Sequence, residues 1–470
     1  MFSIAMHARR QFSVMNRPIT ALFIVSLLAT PGAALPAAQQ PGIDTLQREV
    51  ASLQSRVAML EKQLNTVLQL VNSQSMANTT SPTMPPGSEP ATVIINPPTD
   101  TKIVRTEDNS AINIGGRVKF DAIYNSRSTG GNSGSNGGDL SFLPGAIPLT
   151  GGGEGNQLSF DARETRLWLK GYSPSDYGEM AGYIEIDFSS ATGASNEKVS
   201  NSFVPRLRHA YATMGGLTLG QTFTTFLNVS AYPETNDLNG PVSIMNIRQP
   251  LVRYQYHRDW GNLFIAMESP ETTLTTTAGN RIAPDDDRLP DLVGKIEFSG
   301  GWGNWSLAGM AREIRIDGDV IAGADDSAWG GAVSASGRVR LTGQDNLRFN
   351  LAYGNGLGRY LSYNAFDDGI IDRNGHISLN RIIGGYIAYQ HWWTDTLRSS
   401  AIAGFANADN TSVVPPGSVN KNFYSTTLNL IWSPSLNTSI GLEWLHGYRQ
   451  LESGIDGHLD RIQLTSMYKF

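Results

Sequence analysis

The last ten residues alternate. Ile462, Leu464, Tyr468 and Phe470 fall on one parity, and Arg461, Gln463, Thr465 and Lys469 on the other; only Ser466 and Met467 are out of step. Successive side chains of a β-strand point to opposite faces, so this segment has one apolar and one polar face. The same period runs back to Ile112. Val118, Phe120, Ala122 and Tyr124 alternate with Arg117, Lys119 and Asp121; Ile184, Ile186 and Phe188 alternate with Tyr183, Glu185 and Asp187. The pattern predicts sixteen strands, starting near residues 114, 160, 178, 203, 216, 251, 262, 290, 304, 328, 345, 381, 396, 421, 437 and 458. An even count lets a closed antiparallel barrel keep both ends on one side.

Spacing of the connections agrees with a barrel. Short turns near Gly215-Gly216, Asp259 to Asn262 and Gly300 to Asn304 alternate with long loops rich in Gly and Asn. Tyr172, Tyr177, Trp260, Trp302, Trp305, Trp392, Trp393 and Trp432 flank the short turns. An interfacial aromatic girdle predicts that clustering, and a closed barrel leaves no strand edge open to lipid. A C-terminal Phe on the apolar parity is the usual last-strand ending of bacterial outer-membrane barrels, which places this chain in the outer membrane of a Gram-negative cell.

Upstream of the strands the period changes. Ile43, Leu46, Val50, Leu53, Val57, Leu60, Leu64, Val67 and Val71 are spaced alternately by three and four, an unbroken heptad pattern that predicts a coiled coil. An amphipathic helix lying on a domain would need a wider apolar stripe. The β-branched a positions with Leu at d favour a dimer by the coiled-coil rule. Pro82, Pro85, Pro86, Pro90, Pro97 and Pro98 then mark a semi-extended linker. At the start, Arg9, Arg10 and Arg17 precede the apolar run from Ile19 to Leu28, and small residues follow it: a signal peptide cut after about Ala34 or Ala38. The expected division is residues 1–38 signal peptide, 39–72 periplasmic coiled coil, 73–110 Pro-rich linker and 111–470 transmembrane β-barrel.

Composition narrows the chemistry. The chain has no cysteine, which removes disulfides and thiol catalysis, and its formal charge of -6 does not suggest a nucleic-acid partner. G-x-S-x-G, H-E-x-x-H, P-loop and EF-hand motifs are missing, so no catalytic residue, metal or cofactor is expected. Asp285, Asp286 and Asp287 with Glu271 read either as a cation site or, more simply, as a solvated loop.

The informative charges have lumen parity. Arg117 and Lys119 belong to the first strand, Arg166 and Lys170 to the second, Arg206 and Arg208 to the fourth and Arg253 to the sixth. A ladder of Arg and Lys favours anions, and Arg can hold a carboxylate through two parallel bonds. Glu164, Glu185, Asp187, Glu297 and Glu443 share that parity, so the field is mixed. The third outer loop, about residues 224–250, has two readings: a polar tip in solvent, or a segment folded inward that narrows the pore. In the second, Glu234 and Asp237 face the basic wall and Arg248 joins the basic side.

Several strings carry a family resemblance: Gly115-Gly116-Arg117-Val118-Lys119-Phe120-Asp121, Arg206-Leu207-Arg208-His209-Ala210-Tyr211, Leu219-Gly220-Gln221-Thr222-Phe223, and Glu234-Thr235-Asn236-Asp237-Leu238-Asn239-Gly240-Pro241 followed by Arg248-Gln249-Pro250. In that order they resemble the DcaP-like porins. The resemblance implies a homotrimer of sixteen-stranded barrels with a periplasmic helical extension, set among outer-membrane lipid and lipopolysaccharide. It also implies passive uptake of small organic anions, dicarboxylates among them, with Arg117, Lys119, Arg166, Arg206, Arg208, Arg248 and Arg253 at the eyelet. The Gly-rich first outer loop, about residues 125–159, departs from the family. The alternative function is an envelope tether, in which the coiled coil binds peptidoglycan or a periplasmic protein.

Overall fold

The computed structural model describes residues 102–105, 110–129, 139–150, 152, 155–189, 199–318, 321, 323–410 and 417–470. The signal, the coiled coil and most of the linker lie outside the described residues. Sixteen antiparallel staves form a closed barrel. They are β1 (Ala111–Asn125), β2 (in two pieces, Gln157–Asp161 and Arg166–Ser173), β3 (Met180–Asp187), β4 (Arg206–Met214), β5 (Leu217–Phe223), β6 (Arg248–Arg258), β7 (Gly261–Glu268) and β8 (Asp291–Gly300). The series continues with β9 (Gly303–Ile316), β10 (Asp326–Arg340), β11 (Asn346–Asn355), β12 (Arg381–Trp392), β13 (Leu397–Asp409), β14 (Asn420–Ser435), β15 (Thr438–Leu451) and β16 (Asp456–Lys469).

Closure is direct. β1 pairs with β16 from Arg117 opposite Lys469 to Asn125 opposite Arg461. Gly116 and Phe470 exchange both backbone hydrogen bonds at 3.0 Å. A side chain at Gly116 would strike the Phe470 ring, its Cβ falling 2.4 Å from a ring carbon, which is why the seam has glycine there. One strand lies in the stretch read as linker: Lys102–Arg105 folds back on Ala111 to Ile114.

The barrel is turned inside out relative to a water-soluble one. Leu167, Ile184, Leu292, Leu351, Leu428, Leu442 and Ile462 are exposed on the outer wall, whereas Asp121, Glu185, Asn346, Glu443 and Gln463 are buried on the inner one. Each strand therefore keeps one parity for lipid and one for the lumen. At the short-turn end, periplasmic in this barrel class, Tyr254, Tyr256, Trp260, Trp302, Tyr389, Trp393, Trp432, Tyr468 and Phe470 form an outward belt on β6 to β16. Over β1 to β5 the outward residues of that half are aliphatic (Ile112, Ile114, Leu167, Leu169, Met180, Ile184 and Leu219), and Tyr177 sits in a turn. Trp305, half-buried against Phe298 at 4.5 Å, adjoins this belt, whereas two other residues expected in it face inward. Tyr172 lies beneath Lys170 and Trp392 beneath Arg398, both as cation–π pairs on the inner wall.

Loops fill part of the lumen. The third loop, residues 224–247, runs inside the barrel with Phe226, Leu227, Val242 and Met245 buried. The first loop adds Phe142 and Ile147, and the sixth, residues 356–380, adds Leu357, Tyr360, Leu361 and Phe366 to the same apolar cluster. Ala266, Ala308, Ala332, Ala352 and Ala406 of the wall face that cluster. Their small side chains leave room for the loop aromatics, each worth about 1.5–3 kcal/mol once removed from water. Arg312 ties the sixth loop down, fully buried between Asp291 at 3.1 Å and Asp368 at 2.8 Å. The open part of the lumen is thereby pushed against β1 to β6.

Candidate functional site

Two local irregularities decide which side chains reach the open lumen. β2 is interrupted between Asp161 and Arg166, and the interruption turns Glu164 inward, 2.7 Å from the Lys119 ammonium and 3.5 Å from Arg117. β4 carries a bulge opposite Glu185 and Ile186. The bulge sets the consecutive residues Arg208 and His209 both inside, 2% and 1% exposed.

Guanidinium and carboxylate groups then interleave along the wall. Arg206 holds Asp187 through two bonds, Nε to Oδ1 at 2.9 Å and Nη2 to Oδ2 at 2.8 Å. Arg208 bridges Glu185 at 2.5 Å and Asp187 at 2.9 Å. Arg166 lies 3.5 Å from Glu185. Arg248, at the start of β6, has no carboxylate within 4.0 Å among the described residues. Its guanidinium rests over the Phe223 ring at 5.5 Å and donates to Asn246 at 3.3 Å.

The third loop faces this wall across a cavity of about 370 Å³, bounded by Arg117, Arg166 and Arg208 on one side and Tyr232 to Leu238 on the other. The loop is bonded around most of its length. Lys119 and Gln463 donate to the Asn236 carbonyl, Asn236 and Asp237 N–H groups donate to Glu443, Val242 N–H to Ser425, and Lys295 to the Leu227 carbonyl.

The expected site residues divide into groups. Arg117, Arg166, Arg206, Arg208 and Arg248 gather at or beside the constriction. Lys119 does not present its charge to a solute: its ammonium is spent on Glu164, Asp121 at 3.2 Å and the Asn236 carbonyl at 2.7 Å. Lys170 and Arg253 lie apart, lining a separate cavity near the short-turn end. Glu234 and Asp237 border the constriction but do not point their charge at the basic wall. Glu234 is held by Arg398 on β13 at 2.5 Å, and Asp237 by Arg461 on β16 at 2.6 Å. Burial alone would push the Glu234 carboxyl up, but the hydrogen bonds and charge of Arg398 outweigh it and hold it below its ordinary value.

Arg398 and Arg461 thus anchor the loop: parity had already turned Arg461 inward without linking it to Asp237, and it gave no sign of Arg398. β13 opens Leu397-Arg398-Ser399-Ser400, where alternation does not yet show. The acidic run is structural: Asp287 accepts from Thr272 at 2.7 Å and Asp286 from the Asp317 N–H at 2.9 Å.

Comparison with known proteins follows this geometry. The crystal structure of the outer membrane channel DcaP of Acinetobacter baumannii is similar, with a TM-score of 0.65 and 22% identity over 78% of this chain and 99% of that one. The trimer form of OmpT of Vibrio cholerae matches with a TM-score of 0.48 and 9% identity, covering 77% and 99% of the two chains. The anion-selective porin from Comamonas acidovorans matches with a TM-score of 0.47 and 13% identity, covering 77% and 100%. No curated protein sequence matches. The sequence profile of the DcaP outer membrane protein family matches residues 54–470, the whole barrel included, and the chain belongs to that family.

Proposed function

We propose that the chain forms a passive diffusion channel for small hydrophilic solutes, with a preference for organic anions such as dicarboxylates. The observation that carries this reading is Arg248, a guanidinium with no carboxylate within 4.0 Å among the described residues, whose neighbours Phe223 and Asn246 both line the constriction. Beside it, the two-bond grip of Arg206 on Asp187 has the geometry by which a solute carboxylate is held. Glu234 and Asp237 are neutralised on the far side, so the net field of the passage is cationic. The test is the reversal potential of the reconstituted channel in a salt gradient, repeated with dicarboxylates as blockers. Anion preference is expected, and R206A/R208A should reduce it. A cation-selective pore indifferent to those substitutions sinks the reading.

The working unit is a homotrimer with its N-terminal extension in the periplasm. Among the described residues, the short-turn half of β1 to β5 has no outward aromatic belt, which supports this assembly, because a wall covered there by a second copy has no membrane interface to meet. The heptad pattern from Ile43 to Val71 favours a second reading, an envelope tether. Deleting residues 43–98 separates the two: transport survives and envelope integrity fails if tethering is the role of the extension.

A further inference from the structure

The cavity that holds Lys170 and Arg253 lies beyond the constriction. It encloses about 480 Å³ and reaches Gly215 and Gly216, the turn between β4 and β5, which puts it at the periplasmic end. Its wall includes a cross-strand row: Lys170 on β2 opposite Tyr183 on β3, and Tyr183 opposite Tyr211 on β4. Arg253 enters from β6, opposite Thr218 of β5.

The two cations here differ from those of the constriction. Arg117, Arg166, Arg206 and Arg208 each meet Glu164, Glu185 or Asp187 within 3.5 Å. Lys170 is 3% exposed, yet among the described residues its ammonium meets no carboxylate within 4.0 Å and lies over the face of Tyr172 at 4.5 Å. Among the described residues Arg253 likewise meets no carboxylate within 4.0 Å, and its Nε has no hydrogen-bond partner there. Glu179 borders the cavity and acts on Lys170 at longer range, and Glu268 and Glu297 act on Arg253 in the same way without touching it. A cation drawn out of water with no carboxylate in direct contact is poorly compensated, and a bound carboxylate supplies that contact. Between the two cations the wall carries an aromatic pair, the Tyr183 and Tyr211 rings 5.6 Å apart and tilted by 42°, with Thr213, Leu217 and Thr218 beside it. Such a surface suits a flat apolar body attached to the carboxylate.

We infer that Lys170 and Arg253 form a second anion-binding station at the periplasmic exit, one that takes carboxylates carrying a planar apolar group. This rests on the reading of the lumen as an anion pathway. A solute that has passed the constriction is received there before release, and block from the periplasmic side is stronger for benzoate than for acetate.

The experiment is single-channel recording of the full-length protein, with benzoate or acetate added to one side at a time. Wild-type channels should be blocked by benzoate at lower concentration from the periplasmic side than from the other. K170M/R253M should raise the half-blocking concentration on that side by about tenfold or more, the scale of a lost charge-assisted hydrogen bond. K170R/R253K should restore most of the block, which also shows that the barrel still folds. The inference is overturned if periplasmic benzoate block is the same in wild type and K170M/R253M, or if acetate and benzoate block alike. The wild-type reversal potential is read separately: anion preference with no periplasmic block removes only the station, whereas cation preference removes the underlying reading.

Discussion

Arg461, on the strand that closes the barrel, holds Asp237 of the third loop at 2.6 Å, with both side chains all but sealed from solvent. Asp237 also accepts the Phe142 N–H of the first loop at 2.9 Å. One carboxylate therefore joins the seam of the barrel, the constriction loop and the loop above it. Removing one partner of a buried pair leaves the other charge uncompensated, at a cost of about 3 kcal/mol or more. R461M should lower the unfolding free energy by about that amount, measured by denaturant titration in detergent. It should also raise and broaden the single-channel conductance as the loop loosens. Unchanged conductance and stability would show that the loop is held without this pair.

Glu234 sets a pH dependence. Its carboxyl lies below its ordinary value of 4.5 because the Arg398 bonds outweigh burial. A depressed carboxyl contributes its anchoring fully above the ordinary value and loses it as pH falls through the lower folded value. Protonation would free the Arg398 charge. Anion preference should therefore stay level down to about the ordinary carboxylate range and rise only below it. E234Q should show the higher preference already at neutral pH. A titration of the reversal potential between neutral pH and acid reads both.

The indole of Trp168 lies over Gly115 on the inner wall, where a Cβ on Gly115 would come 2.7 Å from the ring. G115V should push that ring into the passage beside Arg166. Conductance should fall by a fraction readable in single-channel steps, with no change in heat-modifiable gel mobility. Conductance equal to wild type would show that the indole finds other space.

Assembly can be tested with a matched pair of glycines. Gly182 on β3 and Gly294 on β8 both face outward with open space around an added Cβ, the first in the region without an aromatic belt and the second within it. G182W should yield monomers by native mass spectrometry, and G294W should leave the trimer intact. Loss of the trimer in both variants, or in neither, would place the contact elsewhere.

Much of this was readable along the chain. Ile462 and Leu464 face lipid while Arg461 and Gln463 face inward, as period two requires, and every strand start falls close to its expected place. Parity is a local property, fixed by the pleat and by lipid on one side. It assigns Arg117, Arg166 and Arg206 to the lumen without reference to any other strand. Parity fails where the strand is irregular. The bulge brings His209 inside next to Arg208, and across the interruption of β2 the inward positions switch from odd (Ser159, Asp161) to even (Glu164, Arg166), a shift of one residue in each case.

Sequence by itself determined the number of strands, their two faces and the basic character of one wall, because each depends on side chains a few residues apart. Tertiary structure decided which charges remain free. Glu234 finds Arg398, more than a hundred residues away, Asp237 finds Arg461, and Lys119 is consumed in holding Asn236. Those partners meet only because barrel closure and three inward loops bring them together, and no period along the chain encodes that meeting.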